Sequence, residues 1–138
     1  MQSEYCILGV AVGGALFGVV QSHVQTVSLI DPTDPPTDMH DRTLICRELG
    51  PMLGGPPHQG AGRRHALIIA LRRRSVALLI DRVDSLHLEN QSEIQMLAPL
   101  LAQRLARPWF IGAVIYQDAP LLLLDLRRIA TDVMIGAV

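Results

Sequence analysis

The stretch Val76-Ala-Leu-Leu-Ile80-Asp81-Arg82-Val83 decides the fold, read together with Phe110-Ile-Gly-Ala-Val-Ile-Tyr116 and Leu121-Leu-Leu-Leu-Asp-Leu-Arg-Arg-Ile129 downstream. Its apolar runs are short and bounded by turn residues, which marks them as strands. The first run ends in an acid, one residue and a valine. Phe110–Tyr116 and Leu121–Leu124 make a hairpin closed near Asp118-Ala-Pro120, and Asp125 is placed to cap a terminal helix running through Arg127, Arg128, Ile129 and Val133. This order describes a β-rich interaction module and leaves little place for an active site.

Working outward, His65–Leu71 and Ser75–Ile80 form a second hairpin around Arg72-Arg73-Arg74, and their continuous apolarity predicts strands buried on both faces. Ser85-Leu-His-Leu-Glu89 alternates and extends the second of them. Ser92–Leu105 reads as helical, with Ser92 at the N-cap and Pro99 as an interruption. Upstream, five glycines and three prolines between Gly50 and Gly62 make a flexible connection. Glu48–Leu53 is a turn or short helical piece, and Thr43–Cys46 is a short strand. Asp31–Asp38 carries three prolines and is a loop. Tyr5–Val12 and Ala15–Val20 form the first hairpin, turned at Gly13-Gly14. Val24, Val27, Leu29 and Ile30 fit either a helical turn or an irregular strand.

At 138 residues and 49% hydrophobic, the chain suits one domain with a real core. A net charge of −1 gives no general attraction to nucleic acid or anionic lipid. The arginines at 72–74, with Arg63 and Arg64, lack interleaved aromatics for base stacking and read as a charged hairpin turn. Cys6 and Cys46 lie in apolar runs outside any CxxC pair and are expected to pack as small hydrophobes, with a disulfide between them left open. The N-terminus lacks a positive n-region, and no run reaches the roughly 20 apolar residues of a membrane helix, so a cytoplasmic protein without membrane insertion is expected.

Motifs for chemistry are missing. His23, His40, His58, His65 and His87 are scattered without HxH or HExxH spacing, so no metal site is expected. Ser75 and Ser85 lack a Gly-x-Ser-x-Gly setting, and Gly50–Gly62 lacks the Gly-Lys-Ser/Thr ending of a phosphate loop. No cofactor is implied. Asp81 and Asp125 are the acids available for a carboxylate pair, but each follows a strand, where a carboxylate more simply accepts from backbone amides. A small β-barrel enzyme or ligand binder using Asp81, Asp125 or a histidine is the alternative of another class.

The chain also echoes itself. Val19-Val20-Gln-Ser-His-Val24-Gln-Thr-Val27 lies over Leu78-Leu79-Ile-Asp-Arg-Val83-Asp-Ser-Leu86, and Thr43–Leu49 lies over Leu121–Leu126, each an apolar strand running into an acid and a leucine. Two related β-subdomains packed together would produce this pattern. Together these residues resemble the CheW-like coupling domains of bacterial chemosensory systems. Leu79-Ile80-Asp81-Arg82-Val83, Ile111-Gly112-Ala113-Val114, Asp118 and Leu121–Leu126 carry the resemblance most strongly. Phe17–Val20, Val24–Val27 and Glu48–Gly54 carry it in the first half.

The resemblance implies one mainly β domain over residues 1–138, built of two small five-stranded, SH3-like β-barrels with short helices that include a C-terminal one. It implies a non-catalytic adaptor in a chemotaxis or motility pathway. Its partners would be a chemoreceptor tip, the regulatory domain of a CheA-type histidine kinase, or other CheW-like domains, with self-association through strand edges as a third reading. Val24, Thr26, Val27, Val83 and Leu86 are the candidate partner-binding residues; Asp81, Gly112 and Asp125 are structural. The chain departs from the family between residues 28 and 47. That stretch is shortened, Met39-His-Asp-Arg-Thr43 replaces a hairpin ending in Asn-Leu-Arg-Gly, Ile45 stands where a strand proline would fall, and Thr26 replaces a frequent glutamate.

Overall fold

The computed structural model describes residues 6–38, 41–86 and 108–138. Gly13 (φ 59°) and Gly14 (φ 81°) both take the left-handed conformation that a tight two-residue hairpin demands. They join β1 (Ile7–Val12) to β2 (Ala15–Val20), with Val12 opposite Ala15. A single 3-10 turn (Gln21–His23) then leads into β3 (Thr26–Ile30), so of the two conformations open for the Val24–Ile30 stretch the strand is the one adopted, and the helical turn lies just before it. β4 (Ile45–Glu48) runs into the short helix α1 (Leu49–Met52). β5 (Arg64–Ala70) and β6 (Ser75–Ile80) form the arginine-turned hairpin, and every residue of β6 after Ser75 is buried.

β7 (Arg82–Ser85) follows Asp81 directly. β8 (Phe110–Tyr116) and β9 (Ala119–Leu124) form the last hairpin, and α2 (Leu126–Met134) ends the fold. The β8–β9 turn is made by Gln117 and Asp118, both at positive φ, one step earlier than the sequence suggested. Pro120 is therefore a strand residue opposite Ile115. Beside the closing pair Tyr116–Ala119, a proline forfeits no bond to β8, and β2 reaches only Leu123 and Leu124 on the other side.

Hydrogen bonding gives a five-stranded sheet in the order β7-β1-β2-β9-β8 and a four-stranded sheet in the order β3-β5-β6-β4. Among the described residues neither sheet closes into a barrel. The first two hairpins each send their following strand to the other sheet. β3 leaves β2 and pairs antiparallel with β5, while β7 leaves β6 and pairs antiparallel with β1. Ser85 is thus not an extension of β6, because the chain changes sheets at Asp81. The parallel pairs also correspond: β9 lies beside β2, and β4 beside β6. The order β7-β1-β2-β9 therefore repeats as β3-β5-β6-β4, which is the physical form of the echo in the sequence.

The main core lies between these layers. Val10, Val19, Leu67, Ile69, Leu78, Ile80, Leu124 and the buried face of α2 belong to one cluster. α2 contributes Leu126, Ile129, Ala130 and Val133, the spacing of a single helical face. Each sheet has a smaller cluster besides. Val20 and Leu123 belong to one, Leu79 and Ile68 to the other. Cys6 is exposed just ahead of β1 rather than packed, whereas Cys46 is partly buried in β4, and burial pushes its thiol pKa up against the opposing pull of Arg47; both are free thiols. β4 starts two residues later than the expected strand. The helix expected over Ser92–Leu105 and the alternation over His87–Glu89 lie outside the described residues. No helix among the described residues is long and apolar enough to cross a membrane.

Candidate functional site

The two crossing strands carry the residues singled out as partner-binding. Val24 closes the 3-10 turn before β3, and Val83 lies in β7 opposite Val10; both are half-buried and pack against the main core. Thr26 and Val27 lie on β3, an outer strand of the four-stranded sheet. Val27 is 39% exposed and Leu29, two residues on along the same face, 52%. Leu86 follows β7 and is half-buried in the small cluster of the five-stranded sheet, where its side chain covers Gly9. The structure therefore does not gather the five residues into one open patch. Val27 and Thr26 face solvent, while Val24, Val83 and Leu86 serve mainly as packing.

Asp81 belongs to a charged network that the sequence reading missed. Arg64, at the start of β5, is only 7% exposed, and its guanidinium is ion-paired with Glu48. Its other nitrogen donates to the Ile80 carbonyl at 3.2 Å and lies 3.4 Å from Asp81 Oδ1. Asp81 Oδ2 accepts from the Gly13 amide at 3.1 Å, and His58 Nδ1 lies 3.8 Å from Asp81 Oδ1. A buried guanidinium is tolerated only when its charge and donors are met, and here two carboxylates and a carbonyl meet them. The network ties the β1–β2 turn, the end of β4, β5 and the β6–β7 junction together. A cavity of about 330 Å³ opens beside it, lined by Gly13, Glu48, Pro56, His58 and Asp81. In the sequence, Arg64 looked like one more surface arginine beside Arg63; its place opposite Ile30 in β3 and its long-range partners gave no local signal.

Asp125 acts elsewhere. Its Oδ1 accepts from the Arg128 amide at 3.2 Å at the N-terminus of α2. Asp81 and Asp125 share no partner among the described residues, so they do not form a carboxylate pair. Gly112 is buried at a register shift of β8, opposite Leu123. Trp109 donates to Asp132 Oδ2 at 2.7 Å with both residues buried, which pins α2 to the chain entering β8. His23 sits in the β2–β3 junction with Nδ1 buried and without a partner among the described residues. Burial, then the charge of Arg127, lowers its pKa, and Asp125 opposes. Among the described residues no group of three or more histidine, cysteine, aspartate or glutamate side chains is arranged to hold a metal ion.

A family model described as CheW-like domain matches residues 6–134. No curated protein matches the sequence. Among solved structures, the scaffolding protein TtCheW from Thermoanaerobacter tengcongensis is similar with a TM-score of 0.64 at 14% sequence identity, covering 88% of this chain and 89% of that one. At that identity the likeness is one of fold.

Proposed function

Since the chain belongs to the CheW-like domain family, a family of chemotaxis scaffolds and adaptors, we propose that it is a non-catalytic cytoplasmic adaptor bridging a chemoreceptor tip and a CheA-type histidine kinase, or related CheW-like domains. The observation that carries this reading is the placing of the equivalent crossing strands β3 and β7 at outer edges of the two sheets, with Val27 and Leu29 of β3 left exposed. Apolar side chains on an open edge suit docking of another protein more than chemistry. Of the five partner-binding residues, Val27 and Thr26 make the contact, and Val24, Val83 and Leu86 hold their strands in place. In this reading the two open sheets are the divergent counterparts of the family's two five-stranded barrels.

Val27→Asp tests it. An exposed residue can be changed with little effect on folding, so the variant should unfold at the same urea concentration as the parent. In affinity capture from the native cell it should lose receptor or kinase that the parent retains. Recovery of no receptor, kinase or CheW-like protein by the parent itself would overturn the reading.

A further inference from the structure

The β5–β6 turn and the start of β4 meet at one corner of the four-stranded sheet, where Arg74 Nη2 donates to the Thr43 carbonyl at 2.9 Å. This places Arg42, next to Thr43, at the same corner as Arg74, with Arg72 and Arg73 on the adjoining turn. Among the described residues Arg42, Arg72 and Arg73 make no side-chain hydrogen bond or ion pair, and the buried Nε of Arg74 has no acceptor. A depression of about 260 Å³ adjoins the corner, with Thr26, Ser28, Thr37, Ser75 and the carboxylate of Asp38 in its lining over an apolar base of Ile30, Leu44 and Ile68. Ser75 follows Arg74, and Thr37 is bridged to Thr43, so the depression and the arginines form one surface. We propose that this corner docks an acidic segment of a partner protein, with spaced carboxylates on the arginines and the neighbouring backbone in the hydroxyl-lined depression.

Three features select a short acidic segment over other anions. The donors stand on two separate turns, which suits several spaced carboxylates better than one compact anion. The whole chain carries a net charge of −1, so outside this corner acid is in excess, and a long polyanion such as nucleic acid would be repelled along most of its length. Among the described residues, neither the lining of the depression nor the two arginine-bearing turns includes Phe, Tyr or Trp, which removes base stacking. Asp38 and Asp41, on the same loop as Arg42, soften the local charge without cancelling it. The inference stands apart from the adaptor reading. A protein that captures receptor and kinase but ignores acidic peptides would keep that reading and lose this one.

The test uses the full chain and a labelled hexaglutamate peptide, followed by amide chemical shifts at low ionic strength. Saturable shifts confined to residues 72–75, Thr26, Thr37 and Arg42, weakening steeply between about 50 mM and 500 mM salt, support the proposal. Arg72→Glu/Arg73→Glu should weaken the peptide at least about tenfold, the loss typical of removing unscreened charge pairs. Trp109 fluorescence reports that the variant is folded, and Arg72→Gln/Arg73→Gln is the milder substitute if it is not. Unchanged affinity in a folded variant overturns the proposal. So does tighter binding, at equal charge, of a thymidine oligonucleotide, inorganic phosphate or anionic vesicles.

Discussion

The two sheets share one plan and differ in one strand. In the five-stranded sheet, β9 is covered on its outer side by the seven-residue strand β8. The corresponding strand of the other sheet, β4, has only a remnant there. Thr37 bridges Thr43, and the Leu44 amide donates to the Pro36 carbonyl at 3.0 Å. The remnant precedes β4 in antiparallel sense, as β8 precedes β9, so it occupies the place of a fifth strand. Three prolines between Asp31 and Asp38 cannot donate to a ladder, and among the described residues this stretch makes one bridge in place of a strand. The main core does not depend on that position, because Leu78 and Val19, its equivalent in β2, both belong to the shared main cluster.

The comparison fails most completely if either half folds alone. With β3 paired to β5 and β7 to β1, a cut in the Gly54–Gly62 connection should leave both fragments unfolded by circular dichroism, and mixing them should restore the sheet signal. Next in size, Leu78→Ala in the main core should cost about 4 kcal/mol by urea unfolding, within the usual range for a fully buried leucine. Leu79→Ala, in the small cluster of the reduced sheet, should cost about 2 kcal/mol, because the loop over it can settle into the gap. Equal costs would remove the distinction between shared and private cores.

Smaller effects separate two acids at equivalent places, each ending a strand before a helix. Glu48 makes no cap bond and pairs with Arg64, whereas Asp125 caps α2. Glu48→Ala removes one partner of the buried Arg64 and should cost about 1.5 kcal/mol, below the full buried-pair value because Asp81 and the Ile80 carbonyl remain. Asp125→Ala should cost about 1 kcal/mol. The smallest effect is a pH dependence at the β2–β3 junction, where His23 stands in the place that Arg82 takes at the start of β7. The folded-state pKa of His23 is lowered from the ordinary histidine value of 6.5, so both states are neutral well above that value, and stability is fully present there. As pH falls through 6.5 the unfolded chain binds the proton first and stability declines, levelling below the folded pKa. His23→Gln should flatten that part of the profile relative to the parent.

Local signals in the sequence carried much of this. Gly13-Gly14 specified a turn because both residues need positive φ, and the apolar runs on either side of Arg72–Arg74 found β5 and β6 to within a residue. Asp125 was legible as a cap because capping depends on residues three apart. The exchange of β3 and β7 was legible only as an echo, since strand pairing across more than thirty residues leaves no local mark. Arg64 was missed for the same reason: burial and partners from β4 and the β6–β7 junction separate it from Arg63. Exposure of Val27 but not Leu86 was also out of reach, because equivalent sequence positions met unequal neighbours in the two sheets.

The crossing of strands also governs when the protein can be finished during synthesis. β1 and β2 emerge first, yet their outer neighbours β7 and β9 are made only after residue 81 and residue 118. A ribosome must therefore deliver most of the chain before either layer has its full set of neighbours. The first hairpin waits through that interval with Val10 and Val19 uncovered, and chaperone demand should concentrate there rather than on the completed molecule.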